Sequence, residues 1–303
     1  MTQTQPQTDV TPKRVSRPFY KRALASAGDF LRQLARRPLS FIGLMLVIGF
    51  ILMAIFAPII APFAFDQIST GPRSSPPSID NLFGTDRLGR DVFSRVVWGS
   101  REIIVIPGIA TAIAVFFGAG LGMMTGFYGG WIDEVISRAF DSLLAIPAMV
   151  LALVMLATIG PSAVGIVIVI VLLYTPIITR VVRSATLNVR SLGYVEAARL
   201  RGESTFYIVT REILPGVLPA LVVEAALRFS YAIFLTASLG FLGLGVQPPS
   251  PDWGRMVSEA RNNYTRTPWE MVYPAAAIAV LVVGVNLMAD GLRRIFRYEG
   301  QER

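Results

Sequence analysis

The chain has 303 residues and contains neither cysteine nor histidine. Those absences remove disulfides, thiolate nucleophiles, Cys/His metal sites and every Ser-His or Cys-His catalytic pair. Lysine occurs only as Lys13 and Lys21, and neither follows a glycine loop. The phosphate cradle Gly-x-x-x-x-Gly-Lys-Ser/Thr is therefore missing, and the chain has no site of that kind for ATP. An aspartyl pair is the remaining hydrolytic option, but Asp141 and Asp290 fall at predicted membrane borders rather than at a shared depth. Charge is also scarce. Only 16% of residues are charged and 53% are hydrophobic, with a mean hydropathy of +0.56, which places the chain in the membrane class.

Runs without a charged side chain locate the spans: residues 39–65, 103–132, 142–179, 229–251 and 271–289. A crossing helix needs about 20 apolar residues. As one helix, the run 142–179 would extend ~57 Å against a hydrocarbon core of about 30 Å, so it is predicted to fold back on itself. Gly160, Pro161 and Ser162 supply the turn. The expectation is six spans in an all-α polytopic protein, the fifth beginning near Val217 and so including Glu224 and Arg228.

An even span count puts both termini on one side. That side holds nineteen Lys and Arg, in 1–38, 133–141, 180–212 and 290–303. The other holds eight, in 66–102 and 244–271, cancelled by eight acids. Cytoplasmic loops retain Lys and Arg, so the first side, with both termini, is predicted to be cytoplasmic. A net charge of +8 would also suit nucleic acid, but the basic residues flank spans and form no aromatic-interleaved face, so no nucleic-acid partner is expected. Residues 1–12 read as a polar tail and 17–38 as a basic amphipathic helix on the inner leaflet, in contact with lipid. The first apolar run is too long and too far from the start for a cleaved signal.

A polar stretch between two apolar runs carries the most chemistry: Tyr194 Val195 Glu196 Ala197 Ala198 Arg199 Leu200 Arg201 Gly202, continuing to Leu214 and Pro215. It reads as a helix, a glycine stop and a second helix that gives way to the next span at Pro215. Ala197 and Ala198 present almost no side chain, which suits docking into a partner's groove. The spacing resembles the coupling loop of the integral permeases of binding-protein-dependent ABC importers, with matches at Glu196, Ala197, Ala198, Gly202, Leu214 and Pro215; Glu212 stands where that pattern has an apolar residue. Two further stretches, Phe83 to Arg95 and Ala237 to Pro249 with Asp252 Trp253 Gly254, narrow the resemblance. They are similar to the C-type permease of bacterial dipeptide and oligopeptide ABC importers, from about the first span to Arg294.

The resemblance implies the type I ABC importer permease fold in the bacterial inner membrane. It also implies a second permease subunit, two ATP-binding subunits and an external solute-binding protein. ATP would be hydrolysed by those partners, and no cofactor or metal is expected on this chain, which is read as a transport subunit and no enzyme. Carriers of nickel, glutathione and sugars share the family with peptide carriers, so the substrate stays open. A secondary transporter is the rival class, but no inverted repeat and no chain of intramembrane carboxylates is visible.

Domain organisation is read as a tail over 1–38, a first span with its external loop over 39–102, and a five-span core over 103–303 containing the loop at about 190–215. Intramembrane polar candidates are Glu224 and Arg228, spaced for a helical ion pair, and Asn286, with Asp290 set at the interface beside Arg293 and Arg294. The pair either lines the inner mouth of a pathway or locks span five to a neighbour. Gly118, Gly120, Gly122 and Gly126 are read as helix-packing residues. Gly84 and Gly89 mark either a simple turn or a contact for the binding protein.

Overall fold

A computed structural model describes residues 37–299; the predicted tail and amphipathic helix lie outside these. The helices are α1 (Pro38–Ile55), α2 (Val92–Tyr128), α3 (Gly130–Leu144), α4 (Ala148–Ile159), α5 (Ala163–Arg190), α6 (Gly193–Leu200), α7 (Leu214–Phe241), α8 (Trp253–Ala260) and α9 (Pro268–Glu299). Among the described residues there is no strand beyond a lone bridge between Thr85 and Asp91.

Five helices are long and apolar enough to cross a membrane, and six crossings result if α3 and α4, bent by 86° at their junction, count as one. The packing of α2 on α5 decides how the chain must run. A Cβ added at Gly118 would meet Ile178, at Gly122 Val182 and at Gly126 Thr186, so the residue numbers of both helices increase together and the two are parallel. The chain leaves α2 at one end and must enter α5 at the other. Segment 129–162 therefore makes the return journey. Helix α4 alone spans about 18 Å, too short for a bilayer. The turn at Gly160 to Ser162 is where it was expected, with the Ser162 hydroxyl capping α5 by accepting from Gly165 N–H at 3.0 Å. The arm before it is not the straight span predicted from residue 142, because Pro147 breaks it and α3 carries charges that keep it at the polar boundary.

Helix α2 begins at Val92, well before the charge-free run at Ile103. The Asp91 carboxylate caps it, accepting from Ser94 N–H at 2.7 Å, while Asn81 donates to Asp91 at 3.0 Å. Its early charges are absorbed by tertiary partners: Arg95 is only 2% exposed and lies 3.7 Å from Asp86, and Glu102 accepts a hydrogen bond from Ser250. Helix α1 stops at Ile55 rather than continuing to residue 65, and a single turn, Ala57–Ile60, follows it. Helix α1 runs antiparallel to α9, with Gly43 against Leu287 and Met288 and Leu46 against Gly284.

Two apolar cores result. One gathers Ala114, Leu156, Ile170, Ile178 and Ile213 from α2, α4, α5 and the segment entering α7. The other gathers Val47, Val96, Ile233, Trp253 and Leu281 from α1, α2, α7, α8 and α9. Loop 56–91 meets segment 242–267 and the start of α9 at one end: Arg90 lies 3.7 Å from Glu259, Trp269 donates to the Thr85 carbonyl at 3.2 Å, and Phe83 stacks on Tyr273 at 3.8 Å. Among the described residues, Arg180, Arg183, Arg190 and Arg199 gather with α3 and the end of α2 at the other end.

Candidate functional site

The hairpin after α5 is built by a sequence of stops. Arg190, the last residue of α5, donates to the Gly126 carbonyl at 2.7 Å and so ties α5 to the end of α2. Helix α6 then places Val195 and Ala198 inward, both fully buried, and leaves Glu196, Ala197, Arg199 and Leu200 exposed. Ala198 is thus a packing residue of the hairpin's floor, while Ala197 faces out. The Arg199 guanidinium lies 4.7 Å from the Phe127 ring centroid, a cation-π contact to the end of α2. Gly202 has φ +74, the left-handed turn that its position predicts. Arg201 sits within 4.0 Å of both Glu203 and Glu212.

Beyond the turn the expected second helix is not a separate element. Ser204 caps one turn, Thr205–Tyr207, which runs through a π-helical segment, Ile208–Ile213, into α7 without a break. Leu214 and Pro215 are its first residues, and Pro215 is accommodated because it directly follows the π-helical segment, where the regular i→i−4 ladder is already interrupted. Thr205–Phe241 is consequently one continuous rod. Tyr194 straps α6 to this rod, its hydroxyl 3.5 Å from the Glu212 carbonyl, and burial, with a smaller push from Glu212, raises the phenol above its ordinary range. Leu200 and Phe206 flank Gly202 and are 86% and 79% exposed. The sequence concealed this pair, since Leu200 stands alone between two arginines and Phe206 belongs to the apolar run Phe206 to Val209, in which only the fold turns Ile208 inward and Phe206 out.

Within the membrane, Arg228 Nε lies 2.6 Å from Glu224 on α7, with side chains 17% and 9% exposed. The guanidinium also sits 5.0 Å from the Tyr231 ring and 5.7 Å from the Tyr174 ring of α5. The pair expected from the spacing is present, and α5 supplies an aromatic wall no spacing revealed. Asn286 is exposed on α9, and among the described residues no hydrogen bond or ion pair joins it to them. Asp290, Arg293 and Arg294 are all exposed towards the end of α9.

The other end is held by a clasp. Trp253 is 1% exposed and donates to the Val96 carbonyl at 3.0 Å, and Gly99, Gly240 and Gly254 leave the space that Trp253, Asp252 and the Ala237 carbonyl occupy. The Asp252 carboxylate accepts from Arg255 N–H at 2.8 Å and caps α8; burial lifts its pKa against the lowering effect of that bond. Gln247 accepts from Arg255 at 3.0 Å. Gly84 and Gly89 both have positive φ, the turn reading of those residues.

Comparison with known proteins agrees with this architecture. Residues 118–297 match the model of the family described as binding-protein-dependent transport system inner membrane component, and residues 27–77 match the N-terminal TM domain of oligopeptide transport permease C. The chain is 40% identical over 265 residues to the dipeptide transport system permease protein DppC of Alkalihalophilus pseudofirmus, covering 88% of this chain and 87% of that one. It is 39% identical to the probable D,D-dipeptide transport system permease protein DdpC of Escherichia coli K12, over 84% of this chain and 86% of that protein. Identity to the glutathione transport system permease protein GsiD of Escherichia coli O157:H7 is 37%, over 94% and 91%. Among solved structures, a chain of the inward-facing MetNI methionine ABC transporter superposes with a TM-score of 0.53 at 20% identity, covering 68% of this chain and 96% of that one, which places the fold. The chain therefore belongs to the binding-protein-dependent transport system inner membrane component family, as a permease subunit of the dipeptide and oligopeptide type in ABC importers, a multi-pass inner-membrane protein and not an enzyme.

Proposed function

We propose that this chain is one half of the translocation pore of an importer for peptide-like solutes. It pairs with a different permease chain, receives solute from an external binding protein and is driven by two ATPase subunits docked on residues 194–214. The observation that carries the docking is the exposed pair Leu200 and Phe206, projecting on either side of the Gly202 turn at the arginine-rich end. Two large apolar side chains held in the open on either side of one turn of a charged hairpin offer a partner subunit a contact. Peptide-type solutes are supported by relatives named for dipeptide and glutathione transport. The arginine-rich end and both termini are cytoplasmic in this reading, following the charge asymmetry.

Force enters at the hairpin and leaves along α7. Because the chain from Thr205 to Phe241 is continuous, a push on the Gly202 turn moves the rod bearing Glu224 and Arg228 relative to α5, which Arg190 ties to α2. Alternating closure of the two ends then follows from rigid helices pivoting against one another. The test is ATP-dependent uptake of labelled di- and tripeptides by vesicles holding the complete transporter, with mass spectrometry of the ligand carried by the purified binding protein. Peptide on the binding protein and ATP-dependent import are expected. A binding protein carrying nickel or a sugar, with no peptide import, would overturn the substrate.

A further inference from the structure

The cleft between α3 and α5 contains charges used by neither the hairpin nor the clasp. Helix α3 has no buried side chain, so polar contacts fix it in place. Arg183 donates through Nε and Nη2 to the two oxygens of Asp133, and Arg180 donates to Asp141. The two pairs differ in their access to solvent. Asp133 and Arg183 are 17% and 34% exposed and form a bidentate fork, whereas Asp141 and Arg180 are 63% and 62% exposed. A bidentate pair is geometrically demanding and strong, while an open one gains little over two hydrated ions. The first pair anchors α3, and the second opens at small cost.

Beside them lies a cavity of about 400 Å³, lined by Ser137, Phe140, Asp141, Thr179, Arg180 and Arg183. Its size falls in the range of small-molecule sites, roughly 300–1,000 Å³. We infer that this cleft is a transit site for a zwitterionic solute of dipeptide size: the solute's carboxylate takes Arg180 and its ammonium takes Asp141. The inference rests on the peptide reading above. One weak ion pair is exchanged for two, so no charge is stranded at the membrane border during the exchange. The Phe140 ring offers an apolar wall for a side chain, and Ser137, whose hydroxyl donates to Asp133, lines the cleft beside it without being needed for the exchange. Specificity would rest on charge at both solute ends, because a capped peptide leaves the Asp141 and Arg180 pair intact and gains neither contact. Arg180 lies in the half of α5 nearer the hairpin, so solute meets the cleft on its way out.

The chain has no cysteine, so Ser137→Cys places its single thiol inside the cleft, with modification read on this chain after the subunits are separated. In the complete transporter reconstituted in nanodiscs without nucleotide, dialanine well above its Kd is expected to slow maleimide modification of that cysteine by about fivefold or more. N-acetyl-dialanine amide should not slow it. Adding Arg180→Gln or Asp141→Asn should abolish protection by dialanine, with Arg180→Lys retaining part of it; an unliganded labelling rate equal to that of Ser137→Cys alone certifies an intact cleft. Equal rates with and without dialanine, or equal protection by the capped peptide, overturn the site. The same transporter in vesicles separates the two readings: import of dipeptides without protection overturns this site alone, whereas neither import nor protection overturns both.

Discussion

Glu224 and Arg228 show what a single residue costs in this molecule. Both side chains are largely enclosed and 2.6 Å apart, so removing either leaves the other charged in a low-dielectric setting. Glu224→Gln or Arg228→Met alone is expected to reduce assembled transporter, with a penalty of about 3 kcal/mol, because breaking a buried pair costs more than the pair contributes. The double variant Glu224→Gln with Arg228→Met should recover assembly, as judged by yield after size-exclusion chromatography. A double variant no better than either single one would show that the charges act independently. The spacing of four residues gave the pair from sequence alone. That Tyr174 and Tyr231 enclose the guanidinium required the neighbouring helix to be in place.

At the scale of elements, the α2 and α5 pair is a ladder of glycines. A Cβ at Gly122 would lie 2.6 Å from Val182 and 2.7 Å from the Thr179 carbonyl, so the helices must separate to admit it; a Cβ at Gly120 meets nothing within 4 Å. Gly122→Ala should therefore lower thermal stability by about 1–3 kcal/mol while Gly120→Ala changes it little, as read from melting of the purified complex. Equal effects at the two sites would refute this packing. The glycine cluster was legible as small-residue spacing, but Gly120 belonged to it only in one dimension, since it points away from α5.

The hairpin gives the second element-level test. At Gly202 the added Cβ has open space, so the whole penalty of Gly202→Val is conformational, roughly 1–2 kcal/mol for a branched residue forced into the left-handed region. The strain redirects the chain entering the rod at Thr205 and displaces Leu200 from Phe206. Membrane insertion should be normal, while co-purification of the ATPases and transport fall together. Full ATPase recovery with full uptake would remove the hairpin from the coupling role. Its second arm could not be delimited from sequence, because Pro215 carries the same signal whether it breaks a helix or begins one.

For the whole molecule, the decisive quantity is which loops share a side. The structure puts loop 56–91 beside segment 242–267 through Arg90 and Glu259, and beside the start of α9 through Trp269 and Tyr273, the same grouping that arginine placement predicted. Ile79 is 96% exposed on this end and Ser191 is exposed on the other. In intact cells, Ile79→Cys should react with an impermeant maleimide and Ser191→Cys should react only after the membrane is opened. The reverse pattern would invert the orientation.

Hydropathy and charge alone determined that the chain is helical, lies in a membrane and presents a polar hairpin, because burying apolar side chains away from water and satisfying backbone groups within each helix are local requirements. The sequence motifs determined the family through residues that must be small, reverse the chain or cap a helix. Tertiary structure decided the rest. Charged Arg95 and Glu102 could enter α2 only because Asp86, folded back from the loop before the helix, and Ser250, from beyond α7, meet them, and no hydropathy window registers such partners. The parallel packing of α2 on α5 obliges segment 129–162 to cross back, and Pro147 together with the charges of α3 bends that crossing between α3 and α4. The cleft of Asp141 and Arg180 exists because the bend lays a charged helix along α5, and charges 39 residues apart carry no shared period from which their meeting could be read.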